Sequence, residues 1–386
     1  MSNSPFIIIG AGPAGLMAAQ YLATQGHEVQ VYEQNKAAAR KFLVAGDGGF
    51  NLTHSEQIDS FVDKYDAPQL YPIIKNFDNI STRDWLSAIG IPTYVGSSGK
   101  IFPEKHIKPI HVLQAWLTRL KDLGVTIFYQ YRFVDFDTEY VYLIHNGEQV
   151  RKRYRKLILG LGGGSWQKTG SDASWVSLLK EKGIKIMPLE SANSGYNTLE
   201  DWSELEGQVL KNISVGYRDK VRLGEIVFTR YGIEGSPLYY MNRFTRGEVF
   251  PIDLYLDFKP KVSEDIICNK LAVKGNISDL LRDKVKLSKV AISLLKKIDK
   301  SVFTNPIALA KKIKQYPVRV VGLRPIDEVI STAGGVSFDE LDENLAFRKF
   351  PSIYCVGEMI DWEAPTGGYL LQACFSTGAW VGKVLS

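Results

Sequence analysis

Gly10-Ala-Gly12-Pro-Ala-Gly15 lies between Pro5 to Ile9, which reads as a buried strand, and a segment to about Gln25 that reads as a helix ended by Gly26. Gly10 permits a tight turn, Gly12 lets backbone approach a pyrophosphate, and Gly15 lets the helix pack closely on the strand. The helix N-terminus then faces the anion. A second strand, Glu28 to Tyr32, delivers Glu33 eighteen residues after Gly15, where a carboxylate can accept ribose hydroxyls and disfavours a 2'-phosphate. A lone G-x-G-x-x-G is a weak signal, but in this context it predicts a βαβ dinucleotide-binding start. An ordinary strand-to-helix turn leaves Glu33 unexplained.

The rest of the chain narrows the classes. At 386 residues, 45% hydrophobic and 23% charged, it has ample sequence for two or three domains and no sign of disorder. The net charge of +5 is modest, and the run Arg151 to Lys156 reads as the guarded edge of a hairpin strand, so no nucleic-acid partner is expected. The longest apolar run, Phe6 to Ala19, is broken by Gly and Pro and is too short to span a bilayer, and the start lacks a basic region before an apolar stretch. No membrane partner and a cytoplasmic location are therefore expected. Three cysteines without C-x-x-C spacing and five histidines without ligand spacing predict no disulfide framework, dithiol centre or metal site.

After Glu33 the chain does not continue in regular βα units, as a plain NAD dehydrogenase would. It passes through Arg40-Lys41 and a glycine-rich loop, Gly46-Asp47-Gly48-Gly49-Phe50-Asn51, and then a long stretch to Pro103 with only scattered helix signals. From His111, Leu113, Trp116, Leu117, Leu120 and Leu123 form one apolar helix face, ended by Gly124. A strand at 125–129 follows, then alternating segments at 132–136, 140–144 and 148–153, with Asn146-Gly147 as a hairpin turn. Leu157 to Leu161 returns as a buried strand before Gly162-Gly163-Gly164. This order matches the glutathione-reductase-type FAD domain with its β-meander. Near the end, a strand at 352–356 leads to Gly357-Glu358, and Gly367-Gly368 opens a helix whose N-terminus would suit the electron-rich pyrimidine side of a flavin.

Together these stretches resemble the BaiN-like (YhiN-like) flavoproteins, which have the two-dinucleotide-binding-domain flavoprotein fold. The resemblance spans nearly the whole chain and rests on the fingerprint with Glu33, Arg40-Lys41-Phe-Leu with the glycine loop, Gly99 to Pro103, Leu159 to Ser165 with Lys168 to Gly170, and Ala333 to Val336 leading to Gly357-Glu358 and Thr366 to Tyr369. It implies an FAD cofactor held by Gly10, Gly12, Pro13, Ala14, Gly15, Glu33, Arg40, Lys41, Gly49, Asn51, Phe133, Gly163, Gly357, Glu358, Gly367, Gly368 and Leu370. The fold class implied is α/β, a glutathione-reductase-type Rossmann domain interrupted by an inserted β unit and a small helical domain. The boundaries expected are 1–190 for the first part of the FAD domain, 191–260 for the β substrate domain, 261–316 for the helical cap and 317–386 for the return.

The resemblance implies an FAD-dependent oxidoreductase exchanging a hydride with a small organic substrate beneath the inserted domain. No second G-x-G-x-x-G is present, which favours oxidation of an amine or amino ketone, with O2 or another electron acceptor, over a nicotinamide-driven reductase of a conjugated ketone. A non-catalytic binding module of this architecture would carry a degraded fingerprint; here it is intact. Candidate catalytic residues are Asp47, Asp361 and Tyr369, with Glu363 and Tyr231 as further candidates by position. Asp47, Phe50 and Leu370 depart from the family pattern where flavin and substrate should meet, and Asp47 and Phe50 are expected to distinguish this chain's chemistry.

Overall fold

The computed structural model describes residues 4–44 and 50–385. The apolar strand β1 (Phe6–Ile9) is buried along its whole length, as a strand covered on both faces must be. It pairs in parallel with β2 (Val29–Glu33) on one side and β4 (Lys156–Leu159) on the other, so Phe6 lies opposite both Val29 and Lys156. β3 (Thr126–Tyr129) extends the sheet beyond β2, and β6 (Phe350–Cys355) pairs with β4. β5 (Ala346–Phe347) adds an antiparallel edge, giving the order β5-β6-β4-β1-β2-β3. The carboxyl ends of β1, β2, β4 and β6 carry Gly10, Glu33, Gly160 and Val356, which gathers the sequence motifs at one edge.

Three long helices accompany the sheet: α1 (Pro13–Thr24), α2 (Pro109–Asp122) and α3 (Tyr369–Val384). On α2 the buried side chains are Val112, Leu113, Trp116 and Leu120, the spacing of one face. The meander forms from 132–136, 140–145 and 148–153, all antiparallel, and Asn146 (φ 53°) with Gly147 (φ 84°) makes the tight turn that an Asn-Gly pair favours. The stretch from Thr53 to Pro103 is more regular than its sequence indicated. It holds helices Ile58–Val62, Leu70–Asn76 and Asn79–Ala88 and a three-stranded sheet of Thr53–His54, Lys100–Pro103 and Thr93–Val95.

The chain divides into two compact units, 1–190 with 331–386, and 191–330. The second contains a closed six-stranded barrel, ordered 196–198, 232–234, 220–229, 209–217, 252–257 and 316–323. Two expectations need correction here. The return to the first unit falls at Ser331 rather than 317, because Tyr316–Leu323 pairs with both Ile252–Asp257 and Tyr196–Thr198 and closes the barrel. Nor do 191–260 and 261–316 form separate domains: Ile267, Leu271, Leu294 and Leu309 of the helical part share one core with Leu254, Leu256, Val318 and Val320 of the barrel.

Candidate functional site

The turn after β1 gives the clearest local information. A Cβ at Gly15 would lie 2.1 Å from the Gly10 carbonyl oxygen, so close packing of α1 on the turn requires glycine there. Gly12 has an ordinary backbone (φ −81°, ψ 177°), and a Cβ placed on it would meet no atom within 4 Å. Nothing in the protein itself accounts for glycine at that position. Gly12 lines a cleft of about 950 Å³, part of it open to solvent, and caps the N-terminus of α1 without a side-chain hydrogen bond or an acidic residue in the first turn. That leaves the positive end of the helix for an external anion, and room beside Gly12 for it to approach.

Glu33 borders the same cleft at the end of β2 and is 8% exposed. Its Oε2 accepts from the Ala11 amide at 3.0 Å, and its Oε1 accepts from the Asn35 amide and Asn35 Nδ2, both at 2.8 Å. The carboxylate thus ties the turn after β1 to the turn after β2. About four lone-pair directions are available to a carboxylate, so about one remains for a ribose hydroxyl. Asn35 Oδ1 in turn accepts from Arg40 Nη1 at 2.8 Å, which holds that exposed guanidinium at the rim.

Glu358 and Cys374 contribute to the cleft from the C-terminal part of the chain. Lys41 Nζ donates to Glu358 Oε2 at 2.7 Å and to Ser165 Oγ at 2.6 Å, while Glu358 Oε1 accepts from the Thr332 amide at 3.2 Å. Burial, and then the Glu358 carboxylate, push the Cys374 thiol up to about 12, so it is a neutral thiol at physiological pH. Cys268, Cys355 and Cys374 are all free. Among the described residues no group of His, Cys, Asp or Glu could hold a metal ion, and no helix is long and apolar enough to cross a membrane.

Of the residues singled out in the sequence, the cleft brings together Gly10, Gly12, Pro13, Ala14, Glu33, Arg40, Lys41, Phe133, Gly357 and Glu358. Gly15, Asn51, Gly163, Gly367, Gly368 and Leu370 do not line it. Gly368 has a packing reason of its own: φ is +103°, and a Cβ would fall 2.5 Å from Thr53 Cα. Asp47 and Gly49 lie outside the described residues. Phe50 is buried with its ring 4.9 Å from that of Phe42.

The other candidate acids and phenols are placed elsewhere. Tyr369 is buried, donates from its hydroxyl to Glu56 Oε2 at 2.7 Å and stacks 5.4 Å from His54, the surroundings of a packed tyrosine. Asp361 is half-buried outside the cleft lining, and burial followed by Asp66 raises its carboxyl above the usual range. Glu363 is buried, its amide donating to Asp66 Oδ1 at 2.6 Å. Tyr231 belongs to the inserted unit, where the Arg324 guanidinium stands 3.9 Å over its ring. Sequence reasoning missed Asn35, Ser171, Cys374 and Trp175 in the cleft lining. Trp175 is buried, its Nε1 donating to the Gly162 carbonyl at 3.0 Å, and it also borders the cleft. Asn35, two residues after Glu33, was the one with a usable local signal.

A cleft with an uncapped helix end, an unobstructed Gly12 and a bordering carboxylate that keeps an acceptor site fits a dinucleotide. Comparison with known proteins agrees. Residues 4–384 match the family model described as HI0933-like protein Rossmann domain. The chain is 23% identical, over 97% of each sequence, to a 3-dehydro-bile acid delta(4,6)-reductase of Clostridium scindens. It is 22% identical, over 98% of this chain and 97% of the relative, to a ribosomal RNA dihydrouridine synthase of Escherichia coli. Among solved structures, a 3-ketosteroid-delta4-(5alpha)-dehydrogenase from Rhodococcus jostii RHA1 shares the fold at a TM-score of 0.54 and 14% identity, covering 98% of this chain and 96% of that one.

Proposed function

The chain belongs to the HI0933-like Rossmann family, whose members are FAD-dependent oxidoreductases, and from that premise we infer that it is a reductase of a carbon–carbon double bond conjugated with a carbonyl group. The observation that carries this reading is the chemistry shared by the names of the two relatives matched end to end. A delta(4,6)-reductase of a 3-dehydro bile acid and a dihydrouridine synthase each saturate a ring double bond in conjugation with a carbonyl.

Bound FAD supplies the hydride chemistry of such a reaction. The protein's part is to hold the cofactor and exclude competing reactions. Glu33 would take a ribose hydroxyl on its remaining acceptor site, and the N-terminal end of α1, opened by Gly12, would take the pyrophosphate. Lys41 keeps the Glu358 carboxylate paired and fixed beside the cleft, where it can accept from a hydroxyl of the ribityl chain. Cys374, as a neutral thiol, leaves electron transfer to the flavin.

A second reading, oxidation of an amine or amino ketone with O2 as acceptor, is favoured by the lack of a second G-x-G-x-x-G for a nicotinamide. One experiment separates the two. The purified flavoprotein is mixed anaerobically with NADH or NADPH while visible flavin absorbance is followed, and the bleached protein is then offered cyclic enones and uridine. Bleaching by a nicotinamide and recovery of colour with a conjugated carbonyl are expected. Bleaching by amines or amino ketones alone, with no response to nicotinamide, would overturn the reductase reading.

A further inference from the structure

The stretch between β4 and Trp175 borders the cofactor cleft without being anchored in the core. Thr169, Gly170, Ser171, Asp172 and Ser174 all line the cleft. Within 166–174, however, Ser171 alone is buried, and Trp166 is 41% exposed. The segment is fastened at its ends. On one side the buried Ser165 accepts from Lys41 Nζ at 2.6 Å; on the other Trp175 is buried, with its Nε1 on the Gly162 carbonyl at 3.0 Å. Between these anchors it lacks the apolar burial that makes a loop as stable as the elements it joins.

Among the described residues, three hydrogen bonds hold its middle to the rest of the molecule. Gln34 Nε2 donates to the Gly170 carbonyl at 2.7 Å, Asn35 Nδ2 to the Thr169 carbonyl at 3.4 Å, and Ser171 Oγ to the Gly163 carbonyl at 3.2 Å. The Thr169 and Gly170 amides return within the segment, to the Trp166 and Gln167 carbonyls. Trp166 (φ 59°) and Ala173 (φ 56°), one at each end, both take the left-handed conformation that residues other than glycine rarely adopt. Unfavourable turns at both ends and an exposed, polar middle are the marks of a segment that moves as a unit about those two residues.

Its course decides what such a movement would do. In the sheet β1 lies between β4 and β2, and the segment that leaves β4 reaches Gln34 and Asn35, directly after β2. It therefore joins the ends of the two strands that flank β1, and the anion-binding turn follows β1. A dinucleotide with its pyrophosphate at Gly12 and a ribose on Glu33 is enclosed by that link. Asn35 Nδ2 also donates to Glu33 Oε1 at 2.8 Å, so one side chain serves both the ribose site and the segment. Gly170 makes the close approach possible: its φ is +110°, and a Cβ there would fall 2.4 Å from Asn35 Nδ2.

We propose that residues 166–174 are a strap across the adenosine end of the FAD cleft and that Gln34, through the Gly170 carbonyl, is its latch. The cofactor enters and leaves when that bond opens, and the strap closes over the bound ribose. Gln34 is thus a positioning residue that sets the rate of cofactor exchange. Its effect on affinity is small, because an opening that eases entry eases departure equally. The strap stands whether or not the reaction in the cleft is the reduction inferred above, because its test reads exchange of FAD rather than turnover.

The test follows FAD exchange in the full-length protein. Association is read from the change in flavin fluorescence on mixing FAD with apoprotein, and release from the reverse change after dilution of the holoprotein. Gln34→Ala removes one hydrogen bond, so both rate constants should rise about three- to tenfold. Their ratio, the Kd, should stay within about twofold of the parent. Gln34→Glu keeps the size of the side chain and loses the donor to Gly170, and should behave in the same way. Lys168 gives a second reading, since trypsin cleavage after it requires the strap to open. FAD should slow that cleavage at least about fivefold, measured against the lysines of 191–330, which belong to the other unit. The proposal is overturned if release alone accelerates, as it would for a residue that simply touches FAD. It is equally overturned if neither rate moves in either variant, or if FAD leaves cleavage after Lys168 unchanged.

Discussion

A methyl group added at Gly12 meets no atom within 4 Å, whereas the same group at Gly15 falls 2.1 Å from a carbonyl oxygen. The two positions, three residues apart, should respond oppositely to substitution. Gly12→Val should leave the apoprotein's unfolding free energy within about 1 kcal/mol of the parent while flavin content after purification drops severely. Gly15→Ala should cost about 1–3 kcal/mol of apoprotein stability by overpacking, read from urea denaturation. Asp361 offers a test with a pH sign. Burial and Asp66 raise its folded pKa, so the folded state holds the proton more tightly than the unfolded chain, and ionisation destabilises the fold as pH rises through the folded value. Asp361→Asn should therefore be more stable than the parent at neutral pH, and the advantage should fade in acid, vanishing below the ordinary carboxyl value of 3.8. Thermal midpoints across that range check it; a variant equal to the parent at all pH values would remove the electrostatic account.

At the scale of elements, α3 is held by a polar residue rather than by its apolar face alone. Gln372, fully buried, accepts at Oε1 from Thr53 Oγ1 at 2.7 Å and Thr82 Oγ1 at 2.8 Å, and donates from Nε2 to the Phe77 carbonyl at 2.7 Å. One side chain thereby joins α3 to a strand, a helix and a helix end. Gln372→Leu leaves two buried hydroxyls without their acceptor and should cost about 2–4 kcal/mol in urea denaturation, well beyond an ordinary surface change. This junction was not legible in the sequence, since its partners lie about 290–319 positions away in the chain. What was legible is what depends on neighbours: β1, α1 and β2 through apolar period and glycine spacing, α2 through one face, and the meander through Asn146-Gly147. Tyr316–Leu323 was assigned to the wrong unit because its role is defined by pairing with 252–257 and 196–198, which no local pattern reports. The site divided in the same way. Glu33 was placed by motif spacing, but the amides it accepts and the occupied state of Tyr369 are products of tertiary contact.

Over the whole molecule, two separate hydrophobic cores serve the two units, one built on the six-stranded sheet and its helices, the other on the barrel and the lysine-rich helices. The residues proposed to hold the cofactor fall in the first. Calorimetry of the apoprotein should accordingly resolve two transitions, and FAD at about one hundred times its dissociation constant should stabilise one of them by about 2.7 kcal/mol and leave the other in place. A single transition that shifts as a whole would mean that the units melt together. The interruption of the first unit by the second also bears on how the chain is made. Synthesis runs from the N-terminus, and 191–330 is complete before β6 and α3 exist. The β4–β6 pairing, Leu157 opposite Ile353, must then wait for nearly two hundred further residues to be translated. Because Gly357, Glu358 and Cys374 lie on that later stretch, the lining of the cleft cannot be complete until the chain beyond the insert has been made.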